Sequence, residues 1–478
     1  MNLSGHRRWL WQISVAGLLS LAAGATVLAV EGGAAPAALG GFVERQMRLS
    51  RLPGVVVAVV RPEQEVYAAA FSLDGTHLTP DTPFLTGSVT KTITALAIAQ
   101  LADTGKLRFD DPVSEHLPGF ALGARNGGRA ITLRDLLTHT SGFRQWSGHD
   151  RRAQREGRFD HITPARPPGT EFEYSSLNYI ILGRVVEAVA GISYRDYVQA
   201  RILAPLDMGH SFTDLESAHD NGLAQGHWYC YGLTIPGREI QQPGPLVPAG
   251  FLISSARDLG NYLSMLLNEG RFRGRQIVSP ETLREMFRPW DGEATGPAMG
   301  WGVGKTRIGH AGSTPTFSAR LALLPEKGFG IVVLANVNSG PFSPGTAAVM
   351  DGVARIMLGE AAEPVRPDEI LLKLGLLILV IGGVVRMISR FRQWSRRGFP
   401  RRLPVSRRVV QPLVVEAAAA TIVLFAVPRW IGVPLHTILE YFPDLGIAIV
   451  VGVVTGAAGA LMRSFVLASV RGEETRAP

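Results

Sequence analysis

Cysteine is nearly absent: Cys230 stands alone in 478 residues, which excludes an internal disulfide and any cysteine-based metal cluster. It reads as a small buried side chain. No H-E-x-x-H motif occurs, so the sequence offers no zinc-hydrolase signature. Charged residues make up only 18% against 46% hydrophobic ones, an apolar balance for an ordinary soluble domain. Lysine is scarce, with five in the chain: 91, 106, 305, 327 and 373. No internal repeat is evident. A chain this long exceeds the ~250–300 residues at which single cores stop growing, so more than one structural unit is expected.

The net charge is +8, yet the basicity is local. Nine arginines fall between Arg386 and Arg408 with no acid among them, which leaves the remainder of the chain at −1. A nucleic-acid partner is therefore not indicated. The cluster instead lies beside long apolar runs, which span Trp9–Val30, Ile370–Ile388, Val409–Val427 and Leu445–Ala468. Each is close to the ~20 residues that a helix needs to cross a bilayer. The first follows His6-Arg7-Arg8, and Val27-Leu28-Ala29 is a passable cleavage site. Residues 1–30 are thus a signal sequence or an N-terminal membrane anchor. The positive-inside rule puts the arginine loop, 389–408, in the cytoplasm and residues from about 31 to 369 outside. Arg7 and Arg8 give the same side independently.

Within the later runs, Lys373 lies near a helix end, where it can snorkel. Glu416 is either an interfacial acid at a weakly hydrophobic helix start or a substrate or helix contact. Gly452–Gly456 forms a G-x-x-x-G pattern that permits close helix approach. The lipid bilayer is accordingly an expected partner. An exporter, or self-association through these helices, are the further partners that the layout allows.

Between residues 36 and 362, strand and helix patterns mix. Val55–Val60 with Val66–Ser72 reads as a hairpin, and so does Thr316–Leu324 with Gly330–Ala335. Helical patterns occupy Val89–Ala102, Leu133–Leu137, Tyr179–Val189 and Leu259–Leu267, with Gly105 as a cap for the first. Strands at both ends with helices between predict an α+β fold: an antiparallel sheet completed by both termini, flanked by helices, with an inserted helical region and a three-helix transmembrane bundle after it. Arg144–Pro168 reads as a surface loop or an active-site cover.

Phe84-Leu85-Thr86-Gly87-Ser88-Val89-Thr90-Lys91 places a serine three residues before a lysine at a helix start. Positions i and i+3 share one face, so hydroxyl and amine can meet. A serine attacks only when something removes its proton, and a neutral lysine can do so if burial lowers its pKa. The helix N-terminus adds N–H groups suited to an oxyanion. Alone, S-x-x-K is weak, and a surface lysine on an ordinary helix is the alternative; Lys91 is nevertheless the only lysine with serine at −3.

Four further stretches follow in order: Ile131–Gly142 (ITLRDLLTHTSG), Pro168-Gly169 leading to Tyr174–Tyr179, Pro248–Ser255, and Gly309-His310-Ala311-Gly312-Ser313. Together with the Ser88 stretch they resemble the class C β-lactamase and penicillin-binding-protein-like serine hydrolases, from about Gly41 to Gly359. The resemblance implies that Ser88 is the nucleophile, Lys91 its basic partner and Tyr174 the residue that passes a proton to the leaving group. It implies that His310 holds a substrate carboxylate or tunes the site, beside Gly312, and that the N–H groups of Ser88 and Ser313 form the oxyanion hole. His139 and His227 are expected to be structural or to support the site residues from behind. No metal or organic cofactor is expected.

Ser176 stands where the family's Y-x-N motif has asparagine, and Asn178 is expected to point elsewhere. A Y-x-S motif and three C-terminal membrane helices resemble the prodrug-activating peptidases of the colibactin-maturation type. That resemblance implies removal of an N-acyl-D-asparagine cap from an exported prodrug, by a multi-pass protein of a bacterial inner membrane with its catalytic domain on the periplasmic or extracellular side. A penicillin-sensing module that acylates without turnover, and an esterase or β-lactamase on the same scaffold, are the alternatives.

Overall fold

The computed structural model describes residues 34–474 apart from 119, 121–128, 146, 148–161, 238–243, 339–343, 367–368, 398–413, 415–417, 419–420, 427–432 and 434. The elements that frame the site begin with helix α1 (Ala34–Ser50), strands β1 (Gly54–Arg61) and β2 (Gln64–Ser72), and helices α2 (Thr90–Asp103), α3 (Leu133–Leu137) and α4 (Ser176–Ala190). Strands β3 (His227–Cys230) and β4 (Leu233–Pro236) precede helices α5 (Val247–Gly250) and α6 (Ala256–Leu267). Strands β5 (Gly296–Pro297), β6 (Gly302–Val303), β7 (Ile308–Ser313), β8 (Ser318–Leu324), β9 (Phe329–Ala335) and β10 (Val337–Asn338) follow, and then helix α7 (Pro344–Met357). Helices α8 (Glu369–Arg397), α9 (Leu435–Tyr441) and α10 (Pro443–Glu474) belong to the C-terminal part.

The main sheet is antiparallel, in the order β2-β1-β9-β8-β7-β6-β5. Both expected hairpins are present, and β1 pairs with β9 from Val55↔Ala335 to Val60↔Gly330, so strands from the two ends of this region complete one sheet. The sequence of β1, GVVVAVVR, is an unbroken apolar run because both faces are covered. Its pleat divides the run: Val55, Val57 and Val59 enter a core with α1 and α7, while Val56, Ala58 and Val60 enter the larger core with α2, α4 and α6. In β9, Ile331 and Val333 take the first side and Val332 and Leu334 the second. Each such fully buried side chain contributes ~1.5–3 kcal/mol, so a polar residue in either strand would open one of two cores.

Helix α2 lies inside the larger core, with only Gln100, Ala102 and Asp103 escaping full burial. This explains why its sequence, TKTITALAIAQLAD, lacks a polar stripe. Gly105 follows the helix end with φ +68 and donates to the Ala102 carbonyl, as a closing glycine should. Helix α3 is fixed by a capping box, in which Thr132 and Asp135 each satisfy the other's backbone N–H. Arg129 adds a bidentate pair to Asp135 at 2.6 and 2.7 Å. Helix α6 starts three residues before the expected Leu259, because the Ser255 hydroxyl caps the Asp258 N–H. The folded region extends past residue 362: the buried Gln46 side chain of α1 bonds both the N–H and the carbonyl of Val365, at 2.8 Å each.

Helices α8 and α10 contain the first and third of the later apolar runs and pack against each other. Among the described residues, no single helix is long and apolar enough to cross a membrane. Residues 1–30, most of the arginine loop and most of Val409–Val427 lie outside the described residues, as does most of Arg144–Pro168.

Candidate active site

Ser88 is placed by a tight turn. Gly87 has φ +55, and a Cβ there would stand 2.5 Å from the Ser313 N atom, so only glycine fits between the Ser88 turn and β7. Gly312 meets the same turn from the other side: a Cβ would lie 1.9 Å from the Thr86 carbonyl oxygen and 3.0 Å from the Ser88 N atom. The turn is also bolted to the segment after α5. Thr86 donates from both N–H and hydroxyl to the Leu252 carbonyl, at 3.0 and 2.7 Å, and the Leu252 N–H donates to the Thr90 hydroxyl at 2.9 Å. The Ser88 and Ser313 backbones are thereby drawn together.

Lys91 is completely buried one helical turn later. Its Nζ lies 3.1 Å from Ser88 Oγ, 3.3 Å from Ser176 Oγ and 2.5 Å from the Ala249 carbonyl oxygen. It also sits over the Tyr174 ring at 5.0 Å from the centroid. No carboxylate is among these partners. Burial without a counter-ion pulls the amine down to about 7 from its ordinary 10.5, so both protonation states are accessible near neutrality. A neutral amine here can donate to Ser176 and Ala249 and turn its lone pair to the Ser88 hydroxyl.

Tyr174 is half-buried beside Ser88, and burial raises its phenol further than Ser88 lowers it, so the group stays protonated. Directly behind it lies His139, at 4.4 Å between ring centroids. His139 holds a left-handed φ of +60 and accepts at Nδ1 from the Ser175 N–H (3.1 Å) and from the Asn178 amide (3.0 Å). Burial first, then the nearby Lys91, keeps this ring neutral, with its pKa well below 6.5. Two donors at Nδ1 place its proton on Nε2. Asn178 is fully buried and also accepts from Ser141 at 2.6 Å, so it turns into the core, away from Lys91, as the sequence implied. Ser176 takes the position beside Lys91.

His310 lies on β7 with its Nδ1 unpartnered. Burial, followed by Lys91, lowers it to about 3, so it is neutral at ordinary pH. It can therefore offer one hydrogen bond but not a cationic clamp on a carboxylate. His227 is structural: its N–H and ring nitrogen both meet the Asn336 carbonyl, at 2.8 and 3.0 Å. The sequence reading missed the Ala249 carbonyl, which carries no side-chain signal, and the Asn178–His139–Ser141 network. That network was visible only as polar residues inside an apolar stretch.

Residues 40–354 match the Beta-lactamase family. "Protein flp" of Staphylococcus aureus (strain MW2) is 28% identical over 326 residues, 62% of each chain, so this chain spans about three fifths of that relative. "Unguisins hydrolase ungD'" of Aspergillus campestris is 29% identical over 337 residues, covering 62% of this chain and 61% of that one. Among solved structures, the octameric penicillin-binding protein homologue from Pyrococcus abyssi superposes with a TM-score of 0.57 at 28% identity, covering 68% of this chain and 78% of the other. A class C beta-lactamase mutant gives the same TM-score at 21% identity, covering 69% and 98%, a likeness of fold alone. The S-x-x-K turn, the buried lysine and the antiparallel sheet at its flank are thus set in a matched span of more than half the sequence, and the chain belongs to the beta-lactamase family.

Proposed function

We propose that the chain is a membrane-anchored serine hydrolase that cleaves a peptide-like amide through an acyl-enzyme on Ser88, with its catalytic domain outside the cytoplasm. The observation that carries this is the Lys91 ammonium site: fully buried, without a carboxylate partner, 3.1 Å from Ser88 Oγ and held at about 7. In the proposed cycle Ser88 Oγ attacks the carbonyl as its proton passes to Lys91. The Ser88 and Ser313 N–H groups take the developing oxyanion. Tyr174 relays the proton to the departing amine, and the C–N bond breaks. Water, deprotonated through the same pair, then frees the acid and restores Ser88. The cycle uses side chains, two backbone N–H groups and water.

The relative called "Unguisins hydrolase" supports hydrolysis over β-lactam sensing. The Y-x-S motif and the apolar tail support an N-acyl-D-asparaginyl amide as the first substrate to try. For the membrane, the support is the apolar runs with their arginine asymmetry, and the exposed apolar side chains on α8 and α10, among them Ile378 (69%), Val454 (59%) and Leu461 (68%). Three C-terminal spans, packed as a bundle, fit these features.

The test is fluorophosphonate treatment of the purified chain with peptide mapping, followed by a screen of D-residue amides. A single adduct on Ser88, lost in Lys91→Ala, is expected, and Ser88→Ala should cut turnover roughly 10⁴-fold or more while leaving the fold intact. An unlabelled Ser88 in a folded chain would end the hydrolase reading. A persistent β-lactam adduct with no amide turnover would favour the sensor.

A further inference from the structure

The C-terminal part does not simply lead away from the catalytic domain. Between α9 and the start of α10 the chain returns to it: Thr437 and Ile438 are fully buried and Asp444 is 6% exposed. The Asp444 carboxylate accepts from the Tyr231 N–H, and the Tyr231 hydroxyl donates to the Asp444 carbonyl at 2.7 Å. Tyr231 occupies the two-residue turn of the β3–β4 hairpin with φ +48, followed by Gly232 at φ +83. A tyrosine in that conformation is costly unless something outside the turn holds it, and Asp444 does so from both ends of the residue.

The hairpin in turn leans on the catalytic strands. The His227 N–H meets the carbonyls of Thr316, in the β7–β8 turn, and Asn336, immediately after β9. The docked segment also reaches the reacting groups, because the Tyr441 phenol is near enough to Tyr174 to act on it electrostatically. The Asp444–Tyr231 hydrogen bonds fix this segment on the hairpin, and Tyr441, three residues before Asp444, lies within electrostatic range of Tyr174, so Leu435–Asp444 lies toward the Tyr174 side of the site.

We infer that Leu435–Asp444 roofs the leaving-group side of the active site, with Asp444 pinning it and Tyr441 selecting what the substrate carries beyond the scissile bond. The inference rests on the hydrolase reading for its chemistry, since Tyr174 faces the departing amine in that cycle. The roof separates the C-terminal apolar helices from the cleft by a few residues only. Exposed Leu233 (63%) and Ile235 (44%) on the supporting hairpin put further apolar surface at the same edge. Large leaving groups must then pass Tyr441, whereas small ones need not.

The experiment uses the full chain in detergent micelles, comparing it with Asp444→Ala, Tyr441→Ala and Tyr441→Phe. Hydrogen exchange on the peptide containing Tyr231 reads the docking, and Asp444→Ala should speed it at least tenfold. The kcat/KM ratio between one D-aminoacyl amide with a methylamine leaving group and the same acyl group on a bulky peptide amine reads selection. Tyr441→Ala should shift that ratio at least fivefold toward the bulky amine, and Tyr441→Phe, which keeps the ring, should hold it near the parent value. A ratio within twofold in Tyr441→Ala would overturn the selecting role, and unchanged exchange in a folded Asp444→Ala would overturn the roof. If Ser88 of the parent chain takes no fluorophosphonate, the hydrolase reading fails and the selecting role fails with it, while the exchange measurement still decides whether the segment docks.

Discussion

Lys91 carries a conflict between stability and chemistry. A buried amine held at about 7 means that, between about 7 and its ordinary 10.5, the unfolded chain binds a proton that the folded chain does not. Stability therefore rises with pH across that window, and below about 7 the folded state bears the full cost of a buried ammonium. Lys91→Met fills the same space without a charge. It should melt higher than the parent, by the widest margin at and below pH 7 and by a shrinking margin toward pH 10, while Ser88 becomes inert. A margin that does not change with pH would show that Lys91 is not neutralised by burial. In the parent, the rate of Ser88 acylation should climb through pH 7 to a plateau, the limb of a base losing its proton. His139 and His310, both held neutral, lie out of that range. The S-x-x-K spacing made the pair legible in sequence, but not the pKa. That follows from burial, and the groups within reach of the amine, Ala249 and Ser176, stand 158 and 85 positions away and are neutral acceptors.

At the scale of elements, the site is a contact between one turn and one strand. Gly312 and Gly87 let β7 lie against the Ser88 turn at a distance that no side chain tolerates. Gly312→Ala should push the strand off the turn, lowering kcat/KM at least a hundredfold and reducing the melting temperature. Gly302→Ala, in the neighbouring strand, adds a carbon 3.5 Å from its nearest neighbour and should change neither. Equal behaviour of the two variants would mean that the close approach is not what aligns the site. The glycine of H-A-G was visible as part of a motif; its reason, a carbonyl oxygen 1.9 Å from where a Cβ would stand, on a segment more than two hundred residues earlier, was not. Likewise α2 was recognisable by its apolar length, whereas its all-round burial follows from helices and strands on every side.

For the whole molecule, β1 and β9 close one sheet, and the chain then continues through Val365 into α8. The proposed topology predicts that, in a Cys230→Ser background, a cysteine at Thr76 is modified by an impermeant maleimide in intact cells and one at Ser395 only after the membrane is opened. The reverse pattern would place the catalytic domain in the cytoplasm. Local order in the sequence was enough to determine the α+β fold, the two hairpins, the serine–lysine pair and the run of apolar and basic segments, because strand period, helix spacing and turn chemistry act over a few residues. Tertiary structure alone decided that Ser176 faces Lys91 while Asn178 turns to His139, that His310 is uncharged, and that Leu435–Asp444 comes back to Tyr231. Each of these depends on burial and on partners brought close only by the closed sheet, and no pattern of nearest neighbours encodes such a distance.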